Sequence, residues 1–327
     1  MTIPCFPKNV VLIAGGVGGA RMAEGLARAL SPGSLTVIAN VGDDEQFYGM
    51  HVSPDIDTLI YTLSNRIDRK QGWGVADDGV RALGVLDTLG APVWMKLGDA
   101  DFGLHIWRSW RLAQGATLSD ITEEAARRLG ASARVLPATD DELKTKIRTD
   151  DGWLDFQQWF VGRRCEPRVH ELRYQGASAA RASPAAVAAI AAAELIVFAP
   201  SNPLLSLEPI IAVDGIRNAL ATARATRIGI SPLIGGKAVK GPLARLMADL
   251  GLTACAESVA KRYAGLLQAF VVDSSDGAQA DSLRKTGLAV LETDILMRDP
   301  ADAERLAAEV LGWGAANLAN DNIRSRS

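Results

Sequence analysis

The sequence predicts a doubly wound α/β fold: a mainly parallel, Rossmann-like sheet with helices on both faces and an antiparallel insertion. Three observations carry that prediction. Short β-branched runs alternate with longer helical patterns along most of the chain, a glycine-rich turn follows the first run, and a central stretch replaces the alternation with polar-apolar segments around Asp-Asp-Gly. Strands separated by helix-length connections pair in parallel, because a tight turn cannot return the chain to the same end of a sheet.

The expected strands are Val10 to Ala14, Leu35 to Ala39, Val93 to Leu97, Leu195 to Ala199, Arg227 to Ile230 and Leu267 to Asp273. Ala20 to Leu30, Val75 to Leu89, Leu118 to Leu129 and Pro242 to Leu250 are long enough to be crossover helices. Lys144 to Trp153 reads as a hairpin, with Asp-Asp-Gly as its turn, and Arg168 to Tyr174 as another exposed strand. The expected organisation is therefore a core made of 1–135 and 177–314, an antiparallel insertion or small subdomain over 136–176, and a polar, frayed tail over 315–327.

Composition excludes several classes of function. The chain has 327 residues, 48% of them apolar, enough for one large core. A net charge of -3 with scattered basic residues offers no footprint for nucleic acid or an anionic membrane. Cys5, Cys165 and Cys255 form no CxxC pair, which fits a reducing cytoplasm. The N-terminus has no export pattern, and Glu194 interrupts the most apolar stretch, Ala185 to Ala199, so a soluble protein is expected. Apolar helix faces are compatible with a homodimer.

Gly15, Gly16, Gly18 and Gly19 follow the first strand and precede a helix, the arrangement in which backbone N–H groups converge on a phosphate. Arg21 lies one turn on, within reach of that phosphate. The spacing matches neither a Walker loop nor the dinucleotide fingerprint, since Arg21 stands where the third glycine belongs. Two acidic pairs follow, Asp43 with Asp44 and Asp55 with Asp57. Carboxylates beside a phosphate site suit Mg2+, which takes one or two carboxylates plus substrate phosphates. Asp43 and Asp57 are the favoured ligands, with Asp44 and Asp55 open as substitutes. Asp44 is the candidate general base.

Other candidates lie farther along. Ser201 and Asn202 follow a buried strand, and Gly235 and Gly236 with Lys237 and Lys240 form a second candidate phosphate cradle. Trp73, between glycines, is placed to stack on a planar ligand, whereas Trp107 and Trp110 share helical spacing with Phe102 and Ile106 and read as packing. His51, His105 and His170 form no metal-binding pattern.

GGVGGAR, NVGDDE with YGMHVSPDIDT, LGDADFGLH, LPATDD, FQQWFV, APSNP and SPLIGGKAVKGP occur in order from about Val10 to about Asp276, and together they resemble the CofD (2-phospho-L-lactate transferase) family. The resemblance implies transfer of a phospho-acid group from a guanosine diphosphate ester to the ribityl hydroxyl of the deazaflavin Fo, with magnesium assisting and GMP leaving, in coenzyme F-420 biosynthesis. It also implies an acceptor side formed by Trp73, Asp99, Asp101 and His105. The family's third motif usually reads Gly-Asp-Arg-Asp; Ala100 replaces the arginine here, so the donor's acid group is expected to differ from lactyl or enolpyruvyl, with a glyceryl unit as the candidate. Two alternatives compete. A nicotinamide-dependent oxidoreductase shares the strand-glycine-helix opening but expects an acidic residue where Asn40 closes the second strand, and a non-catalytic nucleotide-binding regulator would use the same loops.

Overall fold

The computed structural model describes residues 6–324, with side chains described as far as residue 316. Cys5 and the rest of the opening segment, and the last three residues of the tail, lie outside the described residues. Seven parallel strands form the central sheet: β1 (Val10–Ala14), β2 (Leu35–Ala39), β3 (Arg134–Pro137), β4 (Leu195–Phe198), β5 (Thr226–Ile230), β6 (Ala269–Asp273) and β7 (Ala289–Thr293). Their spatial order is 3-2-1-4-5-6-7. The order reverses between β1 and β4, which opens a crevice at their carboxyl ends, the ligand-binding place of open α/β sheets.

The central strands form where β-branched residues can be buried on both faces. Every residue of β1, β4 and β5 is buried. β1 pairs with β2 from Val10↔Leu35 to Ala14↔Ala39 and with β4 from Val10↔Leu195 to Ile13↔Phe198, so the three strands end level with one another. Helices α1 (Gly16–Ala29), α2 (Pro54–Leu63), α3 (Arg81–Thr88), α4 (Asp99–Ala113) and α5 (Leu118–Leu129) follow within the first half. A C-terminal helix, Pro300–Arg324, packs against α1. It continues through 315–324, where a frayed tail was expected. Among the described residues, no helix is long and apolar enough to cross a membrane.

Two expectations change. Val93 to Leu97 is not a strand, and β3 and β7 take the places at the ends of the sheet that the sequence left unassigned. The apolar side chains at 93–97 instead join a small second core. There Leu97 packs with Phe47, Val52, Leu83 and Phe102, and with partly buried Val93 and Met95. That cluster joins α3 and α4 to a short hairpin, Glu45–Phe47 with Met50–Val52, which leads from the acidic loop to α2.

The expected antiparallel sheet is present. Lys144–Thr149 is flanked by Gly152–Asp155 and Glu171–Gln175, both antiparallel to it. Gln158–Gly162 forms a π-turn beside it, anchored by Trp159, which is buried and donates its indole N–H to the Pro167 carbonyl at 3.0 Å.

Candidate active site

The glycine loop is built by close packing. Gly15 is extended (φ -157°), and a Cβ there would overlap Asp55 and lie 2.9 Å from the Ser206 Cβ and 3.0 Å from the Asn40 Cβ. A Cβ on Gly18 would lie 2.5 Å from the Pro200 carbonyl oxygen, so the loop after β4 presses directly on α1. Ser201 is buried and donates to the Gly15 carbonyl at 2.7 Å. Asn202 accepts from the Leu204 and Leu205 amides at 3.0 and 3.2 Å, capping the turn that follows. Both polar side chains of this loop therefore have structural partners.

Asp55 is expected from the sequence either as a substitute metal ligand or as the cap of its own helix. It lies instead in the first turn of α2, and its carboxylate reaches across to the start of α1, accepting from the Gly16 N–H at 2.7 Å. A carboxylate thus already sits against the positive end of α1. Asn40 holds it there by donating to Asp55 at 2.9 Å, to Asp43 at 3.3 Å and to the Leu205 carbonyl at 3.3 Å, while its own oxygen accepts from Gly42 N–H at 2.8 Å. The residue that closes β2 is therefore the hub of the acidic cluster.

Four carboxylates share this crevice. Burial, and then the neighbouring charges of Asp55 and Asp44, hold Asp43 well above the usual carboxylate range. Burial raises Asp55 to about 6 against the hydrogen bonds from Asn40 and Gly16. Asp44 accepts from Ser53 Oγ at 2.7 Å and lies 2.7 Å from His51 Nε2, while its Oδ1 is buried with no partner among the described residues. Asp57 is paired with the guanidinium of Arg108, both nearly inaccessible. Gln157, brought in by the antiparallel insertion, donates to the Asp43 carbonyl at 3.3 Å.

These residues fit a divalent cation: one carboxylate oxygen is orphaned among the described residues, and burial and mutual repulsion oppose the ionisation of the neighbouring carboxyls. Among the described residues, no three His, Cys, Asp or Glu side chains form a ready-made coordination shell. Magnesium does not require one when substrate oxygens complete its shell. The pairing with Arg108 leaves lone pairs on Asp57, since a carboxylate has about four acceptor sites.

The remaining candidates separate. His105 is buried beside Asp57, with Nδ1 3.6 Å from Asp57 Oδ2, and burial lowers its pKa to about 4. Asp101 is buried, accepts from the Gly98 N–H at 3.1 Å and is raised by burial to about 6. Asp99 has a structural job, accepting from the Ala82 and Arg81 amides at the start of α3, while Asp78 accepts from the Ala100 amide at the start of α4. Trp73 is exposed in a loop that places Gly72 against Val17 and Lys240 and Gly74 near Asp101, so it stands at the rim.

Arg21 donates to the Met297 carbonyl at 2.7 Å. Lys240 donates to the Gln71 carbonyl at 2.5 Å, and burial followed by the charge of Arg21 lowers its pKa. The second cradle is occupied from within, because the Gly235 N–H donates to Asp276 at 3.1 Å; Gly236 and the exposed Lys237 lie in the same short hairpin. Ile106 and Trp110, expected to pack, are more than half exposed on α4, whereas Trp107 packs partly against the core. His170 is on the surface, 2.6 Å from Asp150.

The description 2-phospho-L-lactate transferase CofD matches residues 10–311. The chain belongs to the CofD family. It is accordingly a phospho-acid transferase of coenzyme F-420 biosynthesis. Similar curated proteins are named phosphoenolpyruvate transferase. That of Thermobifida fusca is 39% identical over 98% of this chain and 100% of its own, that of Kitasatospora aureofaciens 38% over 93% and 97%, and that of Mycobacterium tuberculosis 37% over 92% and 97%. A solved Bacillus halodurans protein, 16% identical, superposes with a TM-score of 0.66 over 93% of this chain and 99% of its own, which speaks for the fold alone.

Several residues of this CofD-family site carried no signal of their own. In the sequence Asn40 stands out only as a missing acid, Gln157 only as part of FQQWFV, and Arg108 not at all. Arg108 lies 51 residues from Asp57 in sequence, and its one visible sign is a charge at position 108 on the helical face that also carries His105 and Asp101.

Proposed function

We propose that this chain transfers a phospho-acid group from a guanosine diphosphate ester to the terminal ribityl hydroxyl of Fo, forming a phosphodiester and releasing GMP. The observation that carries this reading is the convergence of Asp43, Asp44, Asp55 and Asp57 beside the glycine loop, with one buried Asp44 oxygen unpartnered among the described residues. Such a site suits phosphoryl transfer, which depends on positioning and charge neutralisation more than on a covalent intermediate.

In this reading the backbone N–H groups in the first turn of α1 that Asp55 does not take would meet the donor phosphates, and Arg21 and Lys240 supply positive charge from the rim. Asp43 and Asp57 would hold Mg2+, which when bound supplies neutralisation of the charge developing on the transferred group. The hydroxyl oxygen of Fo attacks the phosphorus nearest the acid, the bond from that phosphorus to the GMP oxygen breaks, and Asp44 takes the hydroxyl proton at Oδ1. Asp101, His105 and Trp73 line the acceptor side, with the exposed indole of Trp73 placed to stack on the deazaflavin. The names of the relatives favour enolpyruvyl as the acid group. Ala100, exposed at the start of α4, keeps a glyceryl donor as the second arm of the test.

The nicotinamide reading loses its basis at Asn40, whose side chain is fully engaged where a ribose-binding acid would stand. Metal removal and one substitution test the proposal. Fo conversion is expected to stop in EDTA and return with Mg2+, and Asp43→Asn is expected to lower it at least about a hundredfold at saturating Mg2+. Conversion that persists in EDTA, or an Asp43→Asn variant with near-normal turnover, refutes the assignment.

A further inference from the structure

We infer that Arg108 is the positioning residue of this site: its guanidinium fixes the Asp57 carboxylate and sets the tautomer of His105. One nitrogen, Nη1, lies 3.2 Å from Asp57 Oδ2, 3.3 Å from His105 Nδ1 and 3.4 Å from the His51 carbonyl oxygen, while Nη2 makes the second bond to Asp57. A guanidinium has donors only, so the contact with Nδ1 makes that nitrogen an acceptor. The ring is neutral, and its single N–H hydrogen therefore lies on Nε2. Nε2 is buried and has no acceptor among the described residues, which leaves one N–H donor for a bound ligand.

The arrangement depends on the cation. Asp57 Oδ2 and His105 Nδ1 are both acceptors and lie 3.6 Å apart, a repulsive approach unless the N–H groups of Arg108 stand beside them. Without the guanidinium, the favourable alternative is the other tautomer, with Nδ1–H donated to Asp57 and Nε2 turned into an acceptor. The hydrogen-bond character presented to a ligand would then reverse. Arg108 also joins three elements, α2 through Asp57, α4 through its own position and the 45–52 hairpin through His51, so it fixes the relative placement of the two halves of the crevice.

That this order serves turnover rests on the transferase reading; the tautomer does not. The test uses the full chain labelled with 15N-histidine, whose three histidines give a sparse spectrum. In the wild type, long-range proton–nitrogen correlations are expected to show His105 as the Nε2–H form, and in Arg108→Met as the Nδ1–H form. Arg108→Lys, which keeps the charge but not the fork, is expected to weaken binding of Mg2+ alone by about tenfold or more and to lower kcat by a similar factor, with KM for Fo within about threefold. An Nδ1–H form in the wild type overturns the inference even if the methionine variant does not fold. A lysine variant with wild-type Mg2+ affinity and kcat overturns it as well. A wild type that shows the Nε2–H form but does not convert Fo contradicts the transferase reading instead.

Discussion

Asp57 shows how one residue can look exposed in sequence and prove to be a core contact. Read as a carboxylate near a strand end, it suggests that Asp57→Asn would remove a metal ligand and leave the fold intact. The structure buries it against Arg108, so the substitution strands a buried guanidinium. Breaking such a pair costs about 3–5 kcal/mol, and chemical denaturation of Asp57→Asn is expected to show a loss of that order. Asp43→Asn is the cleaner probe, because it removes a carboxyl whose ionisation burial opposes. Asp101 gives a pH signature. Its folded pKa of about 6 lies above the ordinary carboxylate value, so the folded chain binds more protons than the unfolded chain between the two. The stability it contributes is complete below about pH 4 and is lost as pH rises through 6. In denaturant melts, the stability of wild type relative to Asp101→Asn is therefore expected to fall by up to about 3 kcal/mol between pH 4 and 7. A gap that is flat with pH would show that Asp101 ionises as an ordinary surface acid.

At the scale of elements, legibility followed burial. β1 and β2 were read to the residue, since β-branched runs buried on both faces have few other places to go. Val93 to Leu97 is also mostly apolar, but Val93 is its only β-branched residue and Lys96 interrupts it; its apolar side chains are taken up by the small core with Phe47 and Phe102, and backbone pairing does not follow. β3 is four residues long and β7 is half-exposed at the edge, so neither has the long apolar run that sequence reading relies on. The acidic motifs were visible; their partners Asn40, Gln157 and Arg108 were not, because contacts spanning tens of residues leave no local pattern. The reciprocal capping of α3 by Asp99 and of α4 by Asp78 was hidden for the same reason. Asp78→Ala and Asp99→Ala are each expected to cost about 1 kcal/mol, with hydrogen exchange rising across 76–113 while β1 and β4 stay protected. Uniform loss of protection would mean that these helices are not a separable unit.

For the whole molecule, the sheet order places the glycine loop, the acidic loop and the loop after β4 at one switch point, and the small core brings α4 to its side. The antiparallel insertion contributes Gln157 from the other direction, so the crevice is walled by segments from distant parts of the chain. Family membership fixes the class of chemistry, and the crevice supplies the charge arrangement that such chemistry needs. The acceptor, the donor nucleotide and the acid group are settled together by mass spectrometry of a reaction containing protein, Fo, Mg2+ and the enolpyruvyl, lactyl and glyceryl guanylyl donors in competition. The expected product is a deazaflavin phosphodiester carrying one phospho-acid unit, formed in step with GMP and with the enolpyruvyl product dominant. Unchanged Fo with all three donors intact would contradict it.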